Sequence, residues 1–270
     1  MNVKKIRLGL LGKDVSKSNS ERIHRFILGE FGVECEYERF SITPDELDNT
    51  MRRLLGDFDG FNVTIPYKRE VMEYLDEMSD AAMSASSVNT VLTDTRTGDN
   101  TDGMGFLLML QAAKIDVKDK KVLVLGGGGS GRSTAVALRD IGAKVYMYRR
   151  NREKLLETCE RLKITPADSA EDGGFDVLIN CTGVGMHDTE GQSPVTMYAF
   201  KGAKAAIDLI YVPQESEFLR LAREQGLQTL NGESMLFYQA YYADCLYLGL
   251  EPSSIQAEEL YEKFLLNKTI

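Results

Sequence analysis

Short apolar runs alternate with stretches of helical spacing along almost the whole chain, the pattern expected of strands joined by crossover helices. Ile6 to Leu11 reads as a buried strand, and Ile23, Phe26, Ile27 and Phe31 then recur at helical spacing within residues 20 to 31. Cys35 to Phe40 alternates as a strand, Ser41-Ile42-Thr43-Pro44 opens a helix to about Leu55, and Gly60 to Ile65 is the next strand. Pro66 suits the first turn of a helix, which would carry Tyr67 and Lys68. Ser87 to Thr93 predicts a further strand, Thr97-Gly98-Asp99 a turn, and Asn100-Thr101-Asp102 the cap of a helix reaching about Ala113.

A second unit begins at Lys120. Val122-Leu123-Val124-Leu125 runs straight into Gly126-Gly127-Gly128-Gly129-Ser130-Gly131, then a helix from about Arg132 to Asp140 and a strand from Lys144 to Tyr148. Phe175 to Asn180 and Ala205 to Ile210 predict later buried strands, while Glu215 to Gln225, Ser234 to Leu248 and Ser254 to Leu266 predict helices. The fold class is α/β with parallel sheets, and the boundary between the units falls inside the helix near residue 104.

A length of 270 residues accommodates two such domains, each with its own core. A formal charge of -9 argues against a surface built to neutralise nucleic-acid phosphates or to lie on an anionic membrane, so any bound anion needs a local site. The first residues lack the long apolar core of a signal peptide, because Arg7 interrupts the run, and no apolar run approaches a membrane span; a cytoplasmic protein is expected. Cys35, Cys159, Cys181 and Cys245 lack C-x-x-C spacing and have only His24 and His187 to help them, so no metal site is expected and the cysteines read as small buried residues.

The glycine run fits G-x-G-x-x-G through Gly126, Gly128 and Gly131, between a strand and a helix, with the next strand ending at the distance such a fingerprint requires. Glycines there permit a tight turn and close approach to a pyrophosphate, which the helix N-terminus then favours. That next strand ends in Tyr148-Arg149-Arg150-Asn151, without the Asp or Glu that would hold a ribose; two arginines instead suit a 2'-phosphate, favouring NADP over NAD. Asn62-Val63-Thr64-Ile65-Pro66-Tyr67-Lys68 places polar side chains at the end of a buried strand. A lysine in a first helical turn would have its ammonium disfavoured by the dipole, and Asp102, at another helix start, would restore it if the two met.

These pieces, with Ser18-x-Ser20, Val88-Asn89-Thr90, Asn100-Thr101-Asp102-Gly103, Asn180-x-Thr182, Asp208-x-x-Tyr211-x-Pro213, and Asn231-Gly232 through Met235-Leu236 to Gln239, resemble the shikimate dehydrogenase family from Gly12 to Ala240. The resemblance implies an N-terminal substrate-binding domain, residues 1–103 completed by about 238–270, and a Rossmann-type NADP-binding domain, residues 104–237, that close over their ligands. It implies NADP-dependent, reversible reduction of 3-dehydroshikimate to shikimate, in aromatic amino-acid biosynthesis, by a monomer or homodimer. Lys68 and Asp102 map onto the catalytic pair; Ser18 and Ser20, with Tyr211, onto carboxylate binding; Thr64, Asn89 and Gln239, with Asp102, onto the ring hydroxyls. Gly126, Gly128, Gly129, Gly131, Arg149, Arg150, Asn151, Lys154 and Gly232 map onto cofactor binding. Many short hydrogen-bonding side chains suit a polyhydroxylated ring acid.

Two departures sit beside the carboxylate site: Lys17 where the family commonly has a histidine, and Glu21 where it has a proline. Glu21 would repel an anion if it pointed inward. A quinate or quinate/shikimate dehydrogenase using NAD(P) shares the pattern, since one pocket side chain can decide between the two substrates. A nucleotide-binding sensor without turnover would have little need for Lys68, Asp102 and both serines together.

Overall fold

The computed structural model describes residues 4–267. In chain order the elements are β1 (Lys4–Gly12), α1 (Ser20–Glu30), β2 (Val33–Ser41), α2 (Leu47–Asp57), β3 (Gly60–Val63), β4 (Glu77–Met78), α3 (Asp80–Ala85), β5 (Thr90–Leu92), β6 (Thr97–Asp99) and α4 (Asp102–Ala112). They continue as β7 (Lys121–Leu125), α5 (Gly129–Asp140), β8 (Lys144–Tyr148), α6 (Arg152–Leu162), β9 (Thr165–Pro166), β10 (Val177–Asn180), β11 (Ala205–Asp208), α7 (Glu217–Glu224), β12 (Gln228–Asn231), α8 (Glu233–Leu248) and α9 (Ser254–Leu266). The chain divides into two compact units, Met1–Gly105 with Leu236–Ile270, and Phe106–Met235. Among the described residues no helix is long and apolar enough to cross a membrane.

The first unit is built on a six-stranded sheet in the order β2-β1-β3-β5-β6-β4. It is mixed rather than parallel throughout: β1 pairs in parallel with β2 and β3, but β5 runs antiparallel to both β3 and β6. One consequence positions the site. The C-terminal ends of β1, β3 and β6 share an edge of the sheet with the N-terminal end of β5, so the segments after Gly12, Val63 and Asp99 and the residues just before Thr90 converge there. Phe61, Met51, Leu54 and Val91 are buried on one face, and Leu8, Leu28 and Val33 in a second cluster. Phe26 packs on Phe237 and Phe264, holding α8 and α9 within this unit.

The sequence expectation failed at two places here. Pro66 does not begin a helix: residues 65–69 form turns, and a 3-10 helix follows at Glu70–Tyr74. The Lys68 carbonyl accepts from the Val88 N–H at 2.7 Å, and the buried Tyr67 hydroxyl donates to the Ile42 carbonyl, so tertiary bonds replace a helical path. Lys68 therefore faces no helix dipole of its own segment. Thr97-Gly98-Asp99 is strand β6, not a turn; the turn is residues 93–96, and Gly98 is small because Leu75 and Val88 side chains crowd it.

The second unit has the order β12-β11-β10-β7-β8-β9, every neighbouring pair parallel. Its first strand lies in the middle, the chain winds outward to β9, then returns to the other side of β7. That is the doubly wound order of a dinucleotide-binding fold, with its switch point between β7 and β10. Leu123, Leu178, Ala206, Phe200 and Phe218 form the core on one face.

Candidate active site

At the convergent edge of the first sheet, Lys68 Nζ lies 2.5 Å from Asp102 Oδ2, with the two side chains 13% and 7% exposed. Lys68 comes from the turn after β3 and Asp102 from the first residue of α4. Asp102 is fixed in place by its neighbours. Its N–H donates to Asn100 Oδ1 at 3.2 Å, and its Oδ1 accepts from Asn89 Nδ2 at 2.8 Å. Asn100 is held in turn, donating to the Ser87 carbonyl at 2.6 Å.

Asn89 is the hub. Its Oδ1 accepts from the Thr101 N–H at 2.8 Å and from Thr90 Oγ1 at 2.9 Å. Its Nδ2 lies within 3.2 Å of Thr101 Oγ1, Asp102 Oδ1 and Gln239 Oε1. One amide has two hydrogens, so the three acceptors share them. Gln239, on α8, is brought to this cluster by close helix packing: a Cβ on Gly105 of α4 would fall 2.6 Å from the Gln239 nitrogen.

Ser18 and Ser20 lie together, the Ser18 hydroxyl donating to Ser20 Oγ at 3.0 Å and the Ser20 N–H to Ser18 Oγ at 3.2 Å. Thr64 follows β3, with its N–H on the Leu11 carbonyl at 2.8 Å and its methyl against Gly12. Glu21 is neutralised where it stands: Arg25 meets Oε1 at 3.0 Å and Arg39 meets Oε2 at 2.9 Å, so it presents no unpaired charge to an anion. Lys17 is exposed.

Tyr211 and Gly232 belong to the second unit, beside a buried network that sequence reading named only as motifs. Asp208, at the end of β11, accepts from Ser216 Oγ at 2.5 Å, from the Ile210 N–H at 3.0 Å and from Asn180 Nδ2 at 3.1 Å. Burial raises its carboxyl from 3.8 to about 6 against the lowering effect of those donors. A Cβ on Gly232 would fall 2.2 Å from the Leu209 carbonyl oxygen, so only glycine lets that turn pack here. Burial, then the Glu233 carboxylate, raises the Tyr211 phenol.

The glycine turn follows β7. Gly126 has φ 102°, a left-handed conformation, and a Cβ on Gly131 would sit 2.3 Å from the Gly126 carbonyl oxygen. Helix α5 starts at Gly129 with Gly128 as its N-cap, three residues earlier than propensity predicts, because glycine is a poor helix former wherever it stands. No heavy atom approaches a Cβ position at Gly128, leaving the helix N-terminus open. Arg149 reaches toward this turn, its guanidinium 3.2 Å from where a Gly127 Cβ would be. Arg150 is exposed, and Asn151 caps α6 by accepting from the Lys154 N–H at 2.9 Å. Gly126 and Gly131 without room for side chains, a helix start open at Gly128 and arginines after β8 fit a phosphorylated dinucleotide.

Among the described residues no disulfide joins the cysteines, and no cluster of His, Cys, Asp and Glu could hold a metal ion. Cys181 departs from the expectation of four buried thiols, being half-buried at the end of β10. Supporting residues that sequence reading missed are Asn62, Thr90 and Ser216; among these, Asn62 and Thr90 lay inside quoted motifs, whereas Ser216 was read as part of the helix from Glu215 and is instead the N-cap of α7.

A doubly wound sheet with a glycine turn on its switch-point strand, in one chain with a Lys–Asp pair set among hydrogen-bonding Asn, Thr and Gln side chains, defines a dinucleotide-dependent oxidoreductase. Residues 10–91 match the shikimate dehydrogenase substrate binding domain. A shikimate dehydrogenase (NADP(+)) of Thermus thermophilus is 36% identical over 264 residues, covering 96% of this chain and 99% of the relative. A chorismate mutase/shikimate 5-dehydrogenase fusion protein from Clostridium acetobutylicum superposes with a TM-score of 0.89 at 35% identity, over 100% of this chain and 99% of that one. A Thermus thermophilus shikimate 5-dehydrogenase, solved with NADP(H) and shikimate, gives a TM-score of 0.87 at 33% identity, over 96% and 99%. The chain belongs to the shikimate dehydrogenase family.

Proposed function

We propose that this chain catalyses the NADP-dependent, reversible reduction of 3-dehydroshikimate to shikimate, the biosynthetic reaction that leads to aromatic amino acids. The observation that supports it most directly is the Lys68–Asp102 contact of 2.5 Å, shielded from bulk water and surrounded by Asn89 and Gln239. The first unit holds the ring acid and the second the dinucleotide. Ser18 and Ser20 bind the carboxylate, with Tyr211 assigned to the same substrate, and Thr64, Asn89, Asp102 and Gln239 bind ring hydroxyls.

NADPH, when bound, supplies the hydride. Lys68, held by Asp102, gives a proton to the ketone oxygen or stabilises its developing charge. Asp102 orients the ammonium through their direct contact. Gly126, Gly128, Gly129, Gly131 and Gly232 give the backbone its close approach to the dinucleotide, while Arg149, Arg150, Asn151 and Lys154 gather at the 2'-phosphate. With Arg149, Arg150 and Asn151 directly after Tyr148 and no Asp or Glu among them, nothing at the strand end selects a bare ribose. The reading includes a cytoplasmic enzyme, monomeric or homodimeric.

The test follows reduced-nicotinamide absorbance with shikimate and with quinate, each with NADP and NAD, alongside Lys68→Ala. Shikimate with NADP is the expected pairing, and Lys68→Ala lowers kcat by about 10²- to 10⁴-fold. Faster turnover of quinate or NAD would move the assignment to a quinate dehydrogenase, and undiminished turnover in Lys68→Ala would remove the lysine from the chemistry.

A further inference from the structure

Two helices and a strand of the first unit enclose an ionisable pair that the proposed chemistry does not use. His24 on α1 and Asp244 on α8 are inaccessible to solvent, with Nδ1 and Oδ1 2.7 Å apart. The His24 ring stacks on Tyr37 of β2, centroids 5.4 Å apart and planes 20° from parallel. The Ser20 hydroxyl approaches the Tyr37 phenol without full hydrogen-bond geometry. Cys35 and Tyr247 complete the surroundings, and Glu21 acts on Tyr37 from the rim.

Adhesion between these elements does not need the pair. Phe26 on Phe237 and Phe31 on Tyr241 already join α1 and the residue following it to α8, with centroids 6.3 and 6.4 Å apart. Such contacts tolerate small slips. A buried imidazole–carboxylate contact is directional and costs desolvation in every other register, so it selects one. Ser20 and His24 are four residues apart on one face of α1. Gln239 and Asp244 lie on α8 about 7.5 Å apart along its axis. Fixing His24 against Asp244 therefore fixes Ser20 relative to Gln239.

We propose that the His24–Asp244 pair is a positioning device for the substrate, setting the span between the serines that hold its carboxylate and the Gln239–Asn89 cluster that holds its ring. This rests on the assignment of those residues to the substrate.

His24→Phe keeps the stack on Tyr37 and removes the polar contact; Asp244→Asn keeps the shape and one acceptor. The expected result is a KM for shikimate raised about tenfold in His24→Phe and less in Asp244→Asn, with kcat and the KM for NADP within about twofold of the parent. Combined with Ser20→Ala, His24→Phe adds nothing further, since both act on one anchor. A lowered unfolding temperature with an unchanged KM would overturn the proposal, as would equal losses in kcat and both KM values. Should His24→Phe fail to fold, Asp244→Asn alone decides by the same split. Ser20→Ala keeps the two ideas apart: if it raises KM and the pair variants do not, positioning fails while the carboxylate assignment stands. If Ser20→Ala leaves KM unchanged, the assignment fails and the proposal with it.

Discussion

A single amide, Asn89, decides the arrangement of the proposed catalytic centre, because its oxygen orders the backbone entering α4 and its nitrogen holds Asp102. Asp208 has the corresponding task in the second unit, ordering the segment that leads to Tyr211. Its carboxyl is raised from 3.8 to about 6, so between those values the native state binds more protons than the unfolded chain. This group's contribution to stability therefore falls as pH rises from about 4 to about 6 and is level above, a change of at most about 3 kcal/mol. Urea midpoints measured across that window for the parent and Asp208→Asn should differ in slope, the variant losing this component whatever its absolute stability. Identical slopes would mean that Asp208 titrates normally.

Elements were legible to the extent that their signals were local. Lys144 to Tyr148 and Ser254 to Leu266 have the bounds read from periodicity, because each buries an alternating or helical face between clear breaks. Helix α6 went unread although Leu155, Cys159 and Leu162 recur at helical spacing: Asn151 is both its cap and part of the phosphate motif, and the second meaning hides the first. The two-residue strands β4 and β9 are too short for any period. Lys68 could be singled out, but its setting could not, since the Val88 N–H that claims its carbonyl lies twenty residues on. The β7–α5 turn gives the prediction at this scale. Gly131→Ala would place a methyl 2.3 Å from the Gly126 oxygen, forcing the backbone apart. NADPH affinity, followed by its fluorescence, should fall at least about tenfold, and an unaltered affinity would rule out this turn as the dinucleotide site.

At the scale of the molecule, each unit has its own sheet and core, but only the second is a continuous stretch, Phe106–Met235. Expressed alone, that stretch should unfold cooperatively and bind NADPH within about tenfold of the full chain. A fragment that is molten by near-ultraviolet circular dichroism would show that the two halves stabilise each other. The first unit is completed by Leu236–Ile270, after the whole of the second has been made. On the ribosome the coenzyme half therefore has all its residues first, while the half assigned to the ring acid waits, its apolar surface around Phe26 uncovered, for Phe237 and Phe264 to emerge. If the isolated stretch binds NADPH as expected, translation stopped near residue 235 would leave a polypeptide that holds coenzyme but lacks Gln239 and the helices that complete the other half.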